Sequence, residues 1–228
     1  RTYGMVSHLD AEMGRVLDYL GRSGLADDTV VVFTGDHGDM MGDHGLILKG
    51  TYTFRGCINI PLIISAPGFR EGEHSDALVS QIDLMPTILD LCDVEMPGTE
   101  WTRRETPFVW GEVDSIELYP GQSVAPLLTG ERAGERGGTR DAGIRDSVVI
   151  ENDDPSTGFH VRALVTDRYR LTAYPGPAFG ELFDLTEDPG ERHNLWDEKR
   201  DLRDELLLKR FEEYAGATPF YPIPPWNS

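Results

Sequence analysis

An unbroken apolar run at residues 29–33 ends directly in the polar sequence Gly35-Asp36-His37-Gly38. Three valines and a phenylalanine in succession predict a strand that is buried on both faces, as in a parallel or mixed sheet. Ligands and metal ions usually bind at the carboxyl end of such a strand. The glycines on either side let the backbone turn sharply and come close to a bound ion. We therefore expect an α/β fold whose first strand leads into a functional site.

Hydrophobic periodicity predicts the other elements of the first half. Apolar residues recur at helical spacing over residues 6–20, which predicts an amphipathic helix that ends at Gly21. A second apolar run, at residues 60–64, predicts another buried strand. Residues 82–92 predict a second helix with Asp83 as its N-cap. The first half therefore supplies the strands and helices of an α/β domain.

The pattern changes after residue 145. Short segments rich in β-branched and aromatic residues alternate with turn residues, which predicts a small antiparallel sheet followed by a final helix. A polar linker at residues 131–145 precedes this region, so we expect two domains, residues 1–145 and residues 146–228. The expected strands are residues 147–151, 160–166, 169–174 and 181–185, and the expected apolar face of the helix is Leu202, Leu206, Phe211 and Tyr214.

The formal net charge of −19 argues against several classes of partner. Without a basic surface to neutralise phosphates, we expect no nucleic-acid binding, and repulsion by anionic headgroups argues against a membrane partner. An anionic substrate needs positive charge concentrated locally, from a metal ion and a few Lys or Arg. The two cysteines, Cys57 and Cys92, match neither a zinc cluster nor a redox pair, and we expect both to be buried.

Four side chains that follow the first predicted strand are candidate functional residues. Asp36 offers oxygen ligands and His37 a nitrogen ligand, so the pair fills two positions around a divalent cation. Two ligands do not make a site, and the alternative is a turn-capping Asp beside an ordinary loop histidine. Lys49 is either a solvated lysine or a cation that stabilises charge on an anionic group. His44 is either a loop residue or a donor to a substrate oxygen or a leaving group.

A series of sequence segments follows one order from the first helix to about Leu195. They are residues 24–34, 36–45, 49–50, 61–64, 66–68, 83–90, 121–128, 181–191 and 194–195. Together they resemble the carboxyl-terminal portion of the sulfatase family, within the alkaline phosphatase superfamily. The resemblance implies part of an alkaline-phosphatase-like α/β sheet domain, followed by a small α+β subdomain with a four-stranded antiparallel sheet and a carboxyl-terminal helix.

The resemblance also implies roles for the candidate side chains. Sulfatases bind one divalent cation, usually Ca²⁺, through acidic residues near their amino terminus and an Asp-Asn or Asp-His pair, which Asp36 and His37 match. A Lys in the following loop contacts the sulfate, and Lys49 matches it. His44 lies where some relatives place a substrate-contacting histidine, which is a weaker match.

The implied reaction is attack by a hydrated formylglycine on the sulfur of a sulfate ester. Formylglycine is made from Cys or Ser in the sequence Cys/Ser-x-Pro/Ala-x-Arg, and neither Cys57 nor Cys92 lies in such a sequence. We therefore expect the nucleophile and the acidic amino-terminal ligands in polypeptide outside this chain, and we expect this piece alone to be inactive. Asn59 stands where relatives often carry Arg. The chain begins at Arg1 rather than Met, so no localisation is predicted.

Two other functions remain open at this stage. A phosphonate monoester or phosphodiester hydrolase of the same superfamily shares the Asp-His-Gly element, and nitrogen ligation by His37 suits Mn²⁺ better than Ca²⁺. A non-catalytic module that retains the fold is the other alternative. The substrate class is an anionic sulfate, phosphate or phosphonate ester, as a small molecule or a sugar, and no oligomeric state follows. Specificity is expected from the loop at residues 93–121, which carries Trp101, Arg103, Arg104 and Trp110.

Overall fold

The structure is a computed structural model that describes residues 2–69, 72–95, 121–129, 144–154, 158–174, 176 and 179–217. Its helices are α1 (Thr2–Ser23), α2 (Arg55–Ile58), α3 (Leu84–Leu91), α4 (Ala125–Thr129) and α5 (Arg200–Ala217). Its strands are β1 (Val31–Thr34), β2 (Met40–Met41), β3 (Ile47–Leu48), β4 (Leu62–Ser65), β5 (Ser147–Asp154), β6 (Phe159–Thr166), β7 (Tyr169–Ala173) and β8 (Gly180–Asp184).

Strands β5 to β8 form the predicted four-stranded antiparallel sheet, in sequence order. Because side chains alternate between the two faces of a strand, the register places Leu164, Leu171 and Leu182 on one face. These three leucines are buried and pack against Leu206 of α5. The main apolar core among the described residues therefore lies between this sheet and the last helix.

The opposite face of the same sheet is more polar. Arg170 and Thr172 of β7 lie there, and both are fully buried. Phe183 of β8 is the register partner of Arg170 and lies on the same face. A buried guanidinium needs partners that satisfy its donors, so this face must pack against a polar part of the chain. Residues 50–55 fill that role, as described below.

The first half forms two small antiparallel ladders among the described residues. β1 pairs with β4, with Val32 opposite Ile64, and β2 pairs with β3. The pairing of β1 with β4 is antiparallel and β1 is only half-buried, so the described residues show neither the parallel pairing nor the burial on both faces that the apolar run suggested. A run of apolar residues indicates that a strand tends to be buried, but it does not indicate whether the strand pairs in parallel or antiparallel with its neighbour.

The role of Asp83 differs from the predicted one. Its side chain does not cap α3, which begins at the next residue, but accepts the backbone N–H of Ser80 at 2.8 Å in a capping box around the preceding turn. The carboxylate is fully buried and also accepts the N–H of Gln122 at 2.8 Å and a bond from Arg145. Asp83 thus ties three separated segments together, which compensates for burial of its charge.

Several apolar residues expected to be buried are exposed. Cys57 is buried, but Cys92 is exposed, so the expectation for Cys92 is wrong. On α5, Leu206 is buried whereas Phe211 is 66% exposed. The apolar side of α1 is also largely exposed, at Leu9, Val16 and Leu17 among others. Helical periodicity identifies the apolar side of each helix correctly but does not show which part of it another element covers.

Some expectations fall outside the described residues. They include most of the linker at residues 131–145 and most of the specificity loop, with its tryptophans and arginines, at residues 96–120. The division into residues 1–145 and 146–228 stays a prediction. Among the described residues, no helix combines the length and the apolar character needed to cross a membrane.

We predict that Leu171→Ala destabilises the protein by about 3 kcal/mol, because it empties a fully buried position between the sheet and α5. Leu208→Ala on α5, where the side chain is 60% exposed, is the control and should change stability by less than about 0.5 kcal/mol. Urea unfolding measures both. Equal losses for the two variants would contradict the position of the core.

Asp153 provides a pH-dependent prediction. Arg162 donates to its carboxylate at 2.6 Å, and His160 lies 2.9 Å from the same oxygen, so the pKa of Asp153 falls from 3.8 to about 2. A lowered pKa in the folded state contributes stability above the unfolded value and loses it as the pH falls from about 4 to about 2. The urea midpoint of Asp153→Asn should therefore lie below that of the unsubstituted chain at neutral pH. A difference that does not shrink in acid would contradict this ion pair.

Candidate functional site

The Asp36-His37 pair lies in the loop directly after β1, as predicted. The side chain of Gln81 holds this loop, because its Nε2 donates to the carbonyl oxygen of Gly35 at 3.1 Å and to that of Asp36 at 2.7 Å. The Asp36 carboxylate accepts the backbone N–H of His37 at 2.9 Å and is 85% exposed. The backbone of the pair is therefore fixed while the carboxylate oxygens remain accessible.

Gly38 lets this loop touch a second segment. Its N–H donates to the carbonyl oxygen of Cys57 at 2.8 Å. A Cβ atom at residue 38 would lie 1.9 Å from the carbonyl oxygen of Gly56, which no real contact permits. A glycine is required here because the two backbones approach so closely.

His37 and Lys49 are in direct contact. Lys49 Nζ lies 2.8 Å from His37 Nε2, and His37 Nδ1 lies 3.0 Å from the carbonyl oxygen of Gly38. An ammonium group can only donate, so we assign Nε2 as the acceptor and place the ring proton on Nδ1, which donates to Gly38. The Nε2 lone pair therefore points away from the loop backbone, towards Lys49.

The Asp36 carboxylate completes this cluster. Its Oδ2 lies 3.4 Å from His37 Nε2. The pKa of Asp36 is lowered, first by the hydrogen bond from the His37 backbone N–H, then by the electrostatic effect of the nearby His37 ring, with a smaller effect of Lys49. The structure thus brings three of the four predicted side chains together, with a negative, a neutral and a positive group at one point on the surface.

His44 has a different environment. It lies in the turn between β2 and β3 with φ of 55°, a left-handed conformation that is uncommon outside glycine. Its ring stacks on Phe54, with centroids 3.9 Å apart and planes 14° from parallel. The structure therefore fixes the His44 ring through an aromatic contact rather than through Asp36, His37 or Lys49.

The chain after Lys49 packs along the polar face of the C-terminal sheet. We call residues 50–55 the docking segment. The Gly50 carbonyl accepts a bond from Asn152 Nδ2 at 2.9 Å, and the Arg55 N–H donates to Glu191 at 2.7 Å. Between these two points, Thr53 contacts Thr172 at 2.6 Å through their hydroxyl groups. Each of these partners lies in the C-terminal part of the chain.

Arg170 is at the centre of this interface. Its Nη1 donates to Thr53 at 2.8 Å and to Glu181 at 2.9 Å, and its Nε donates to Glu191. The guanidinium is fully buried and lies 4.9 Å from the Phe54 ring centre and 4.8 Å from that of Phe183. Among the described residues, its Nη2 has no hydrogen-bond partner.

Sequence reasoning did not identify the residues of this interface. Arg170 stands in a strand beside an apolar residue, and Glu191 lies in a turn with φ of 51°. The sequence signal that could have identified Arg170 is its charge in the middle of an apolar strand. Charged residues are almost never buried without partners, so such a residue indicates a buried ion pair. No local pattern identifies their partners in the docking segment, Thr53 and Arg55, which lie more than 100 residues away in the sequence.

The described residues do not by themselves assemble a metal site. No group of three or more His, Cys, Asp or Glu side chains in the described ranges could hold a metal ion. Asp36 and His37 therefore offer two donors and no more from this part of the chain. Cys57 does not add to them, since it is buried in α2 and its thiol pKa is raised, first by burial and then by the charge of Asp39.

A cavity of about 890 Å³ lies against the polar face of the sheet, away from this cluster. Its lining residues include Arg55, Arg145 and Arg170 together with acidic residues such as Asp146 and Glu191. None of the four predicted site residues lines it. The contacts among the side chains, rather than the size of a cavity, locate the candidate site.

Comparison with known proteins adds independent information. Residues 1–94 match the family model described as Sulfatase. The chain is 28% identical to a choline-sulfatase of Rhizobium meliloti over 94% of its length, and 33% identical to an uncharacterized sulfatase, YidJ, of Escherichia coli over 84%. It covers 36% and 33% of those proteins, so it spans about a third of the curated relatives that it matches.

Solved structures agree on the fold. A protein crystallised in complex with its substrate D-glucosamine-2-N,6-O-disulfate aligns with a TM-score of 0.72 at 24% identity, over 94% of this chain and 40% of its own. A phosphonate monoester hydrolase of Agrobacterium radiobacter aligns with a TM-score of 0.73 at 25% identity, over 95% of this chain and 41% of its own. The alkaline-phosphatase-like fold class expected from the sequence is confirmed.

We predict that Gly38→Ala destabilises the chain by at least about 2 kcal/mol, because the added methyl group collides with the Gly56 carbonyl. Gly35→Ala is the matched control, since a Cβ atom there has its nearest neighbour at 3.9 Å. Urea unfolding compares the two variants. A Gly38→Ala variant as stable as Gly35→Ala would contradict the close approach of the two backbones.

Proposed function

We propose that this chain is the carboxyl-terminal part of a sulfuric ester hydrolase, because residues 1–94 match the sulfatase family model and most of the remaining chain aligns with sulfatases. The observation that carries the proposal is the contact cluster of Asp36, His37 and Lys49. It combines two potential metal ligands with one lysine ammonium group on an otherwise acidic chain. Such a combination can bind an anionic ester through positive charge.

Asp36 and His37 fit two positions around a divalent cation. The carboxylate is exposed, and the assigned tautomer leaves a lone pair on Nε2, 3.4 Å from Oδ2. Oxygen donation suits Ca²⁺, and nitrogen donation also admits Mn²⁺. A bound cation supplies positive charge that stabilises anionic oxygens. The remaining ligands and the formylglycine nucleophile that sulfatases use are proposed to lie in polypeptide beyond the described residues.

Lys49 is proposed to contact a substrate oxygen and to stabilise negative charge on the ester during cleavage. Its ammonium group now contacts the His37 lone pair that a metal ion would use. Lys49 must therefore release His37 before the pair can act as ligands, and the released ammonium is then free to donate to the substrate. His44 is proposed as a further donor to the substrate, supported by the fixed stacking of its ring on Phe54.

The substrate is proposed to be a sulfate ester of a small molecule or a sugar. The printed names of the relatives support this class, since they include a choline-sulfatase and a protein bound to a sulfated glucosamine. A phosphonate monoester or phosphodiester hydrolase is the second candidate. It is supported by the similarity to a phosphonate monoester hydrolase and by the nitrogen donor of His37. A non-catalytic module is the third candidate.

The decisive assay uses the complete polypeptide that contains this chain. We predict that it hydrolyses 4-nitrophenyl sulfate with a higher kcat/KM than a phenylphosphonate monoester, and that the purified 228-residue chain gives no turnover. Lys49→Met should lower kcat/KM of the complete polypeptide by about 10²-fold or more, because it removes a charge at the reacting group.

Lys209→Met is the matched control, since Lys209, on α5, pairs with Asp146 rather than with a site residue. A Lys49→Met variant that retains the activity of Lys209→Met would contradict the role of Lys49. Faster phosphonate than sulfate hydrolysis would favour the second candidate. Absence of turnover with both esters would favour the non-catalytic module.

A further inference from the structure

Lys49 lies between two fixed points of the backbone. The residue before it, Leu48, has φ of 61°, a left-handed conformation that costs a leucine about 1 kcal/mol or more. The residue after it, Gly50, has its carbonyl oxygen bonded to Asn152 Nδ2 at 2.9 Å. A strained conformation persists only when its surroundings hold it in place. The bond from Asn152 supplies such a restraint, one residue beyond Lys49.

Asn152 reaches Gly50 because of its position on β5. The neighbouring carboxylates Glu151 and Asp153 both pair with Arg162, so they lie on the face that packs against α5. Side chains alternate along a strand, and Asn152 therefore lies on the opposite face, where the docking segment runs. Within the sequence Glu-Asn-Asp-Asp at residues 151–154, Asn152 is the side chain that carries N–H donors.

A restraint on the backbone matters for a lysine in particular. The Lys49 side chain is long and exposed, and ordering such a side chain costs up to about 2 kcal/mol of rotamer entropy. Its contact with His37 Nε2 at 2.8 Å is formed by a single atom. A fixed backbone narrows the region that the ammonium group can reach, so that the group stays near Asp36 and His37 whether or not it contacts the His37 ring.

We propose that Asn152 is a positioning residue for Lys49, so that the C-terminal sheet is part of the functional site. This inference rests on the proposed function of Lys49 as the group that contacts the anionic ester. Asn152 acts through the Gly50 carbonyl and does not touch the substrate. The sheet then has two roles. One face forms the apolar core with α5, and the other face positions the Lys49 ammonium group in the site.

The test uses the 228-residue chain and the nitrogen resonances of its histidine rings, measured by NMR. Lys49→Met defines the change in the His37 Nε2 signal when the ammonium is absent. Asn152→Leu, which keeps the shape of the side chain but has no donor, should produce most of that change. Asn152→Gln retains the amide and should leave the His37 signal closer to that of the unsubstituted chain than Asn152→Leu does.

Asp153→Asn is the matched control, because it weakens an ion pair on the same strand but on the other face. It should leave the His37 signal unchanged. For every variant, leucine methyl signals that match those of the folded, unsubstituted chain show that the sheet is intact. An Asn152→Leu chain that is folded and has the His37 signal of Asp153→Asn would overturn the proposal. So would an equal change in Asn152→Leu and Asn152→Gln.

A second measurement separates this inference from the proposed function. In the complete polypeptide, Asn152→Leu should lower kcat about 10-fold or more with a smaller effect on KM, because a misplaced cation acts on the reacting group. If the complete polypeptide cleaves neither ester, the proposed function fails whatever the NMR result. If it cleaves an ester and kcat is unchanged in Asn152→Leu, the positioning role fails alone.

Discussion

The buried guanidinium of Arg170 is the interaction on which the arrangement of the site depends. It lies in β7, on the polar face of a sheet whose other face forms the leucine core. It bonds Glu191 and Glu181, and it also holds the Thr53 hydroxyl of the docking segment. Removing one partner of a buried ion pair typically costs about 3–5 kcal/mol, since the remaining charge stays buried. Loss of one partner is therefore costly, and the bonds from this cluster to Thr53 and Arg55 hold residues 53–55 against the sheet.

The functional side chains themselves have few contacts. Asp36 and Lys49 are exposed, and His37 is held mainly by its own loop. Their positions come from two supports on different parts of the fold, because Gln81 holds the Asp36 backbone and the docking segment holds the chain just beyond Lys49. Such a division leaves the side chains free to exchange partners, as the proposed role of Lys49 requires, without loss of their relative positions.

The sequence predicts the C-terminal sheet well because its signals are local. Alternating residues and turn residues mark each strand, and all four strands form where expected. The position of Asp36 and His37 after β1 is equally local. Strand direction, the exposure of Cys92 and the partners of Asp83 depend instead on which distant segments come together. The interface of Arg170, Glu191 and Asn152 was missed for the same reason, since its polar pairs join residues 102 to 136 positions apart.

Native-state hydrogen exchange of the 228-residue chain tests most directly whether the site loop and the sheet form one cooperative unit. The Gly38 and Cys57 amides report on the loop, and the Leu182 amide reports on the sheet. The account predicts that all three open with free energies within about 1 kcal/mol of one another. Fast exchange of Gly38 and Cys57, at the rate of an open loop while Leu182 stays protected, would contradict it.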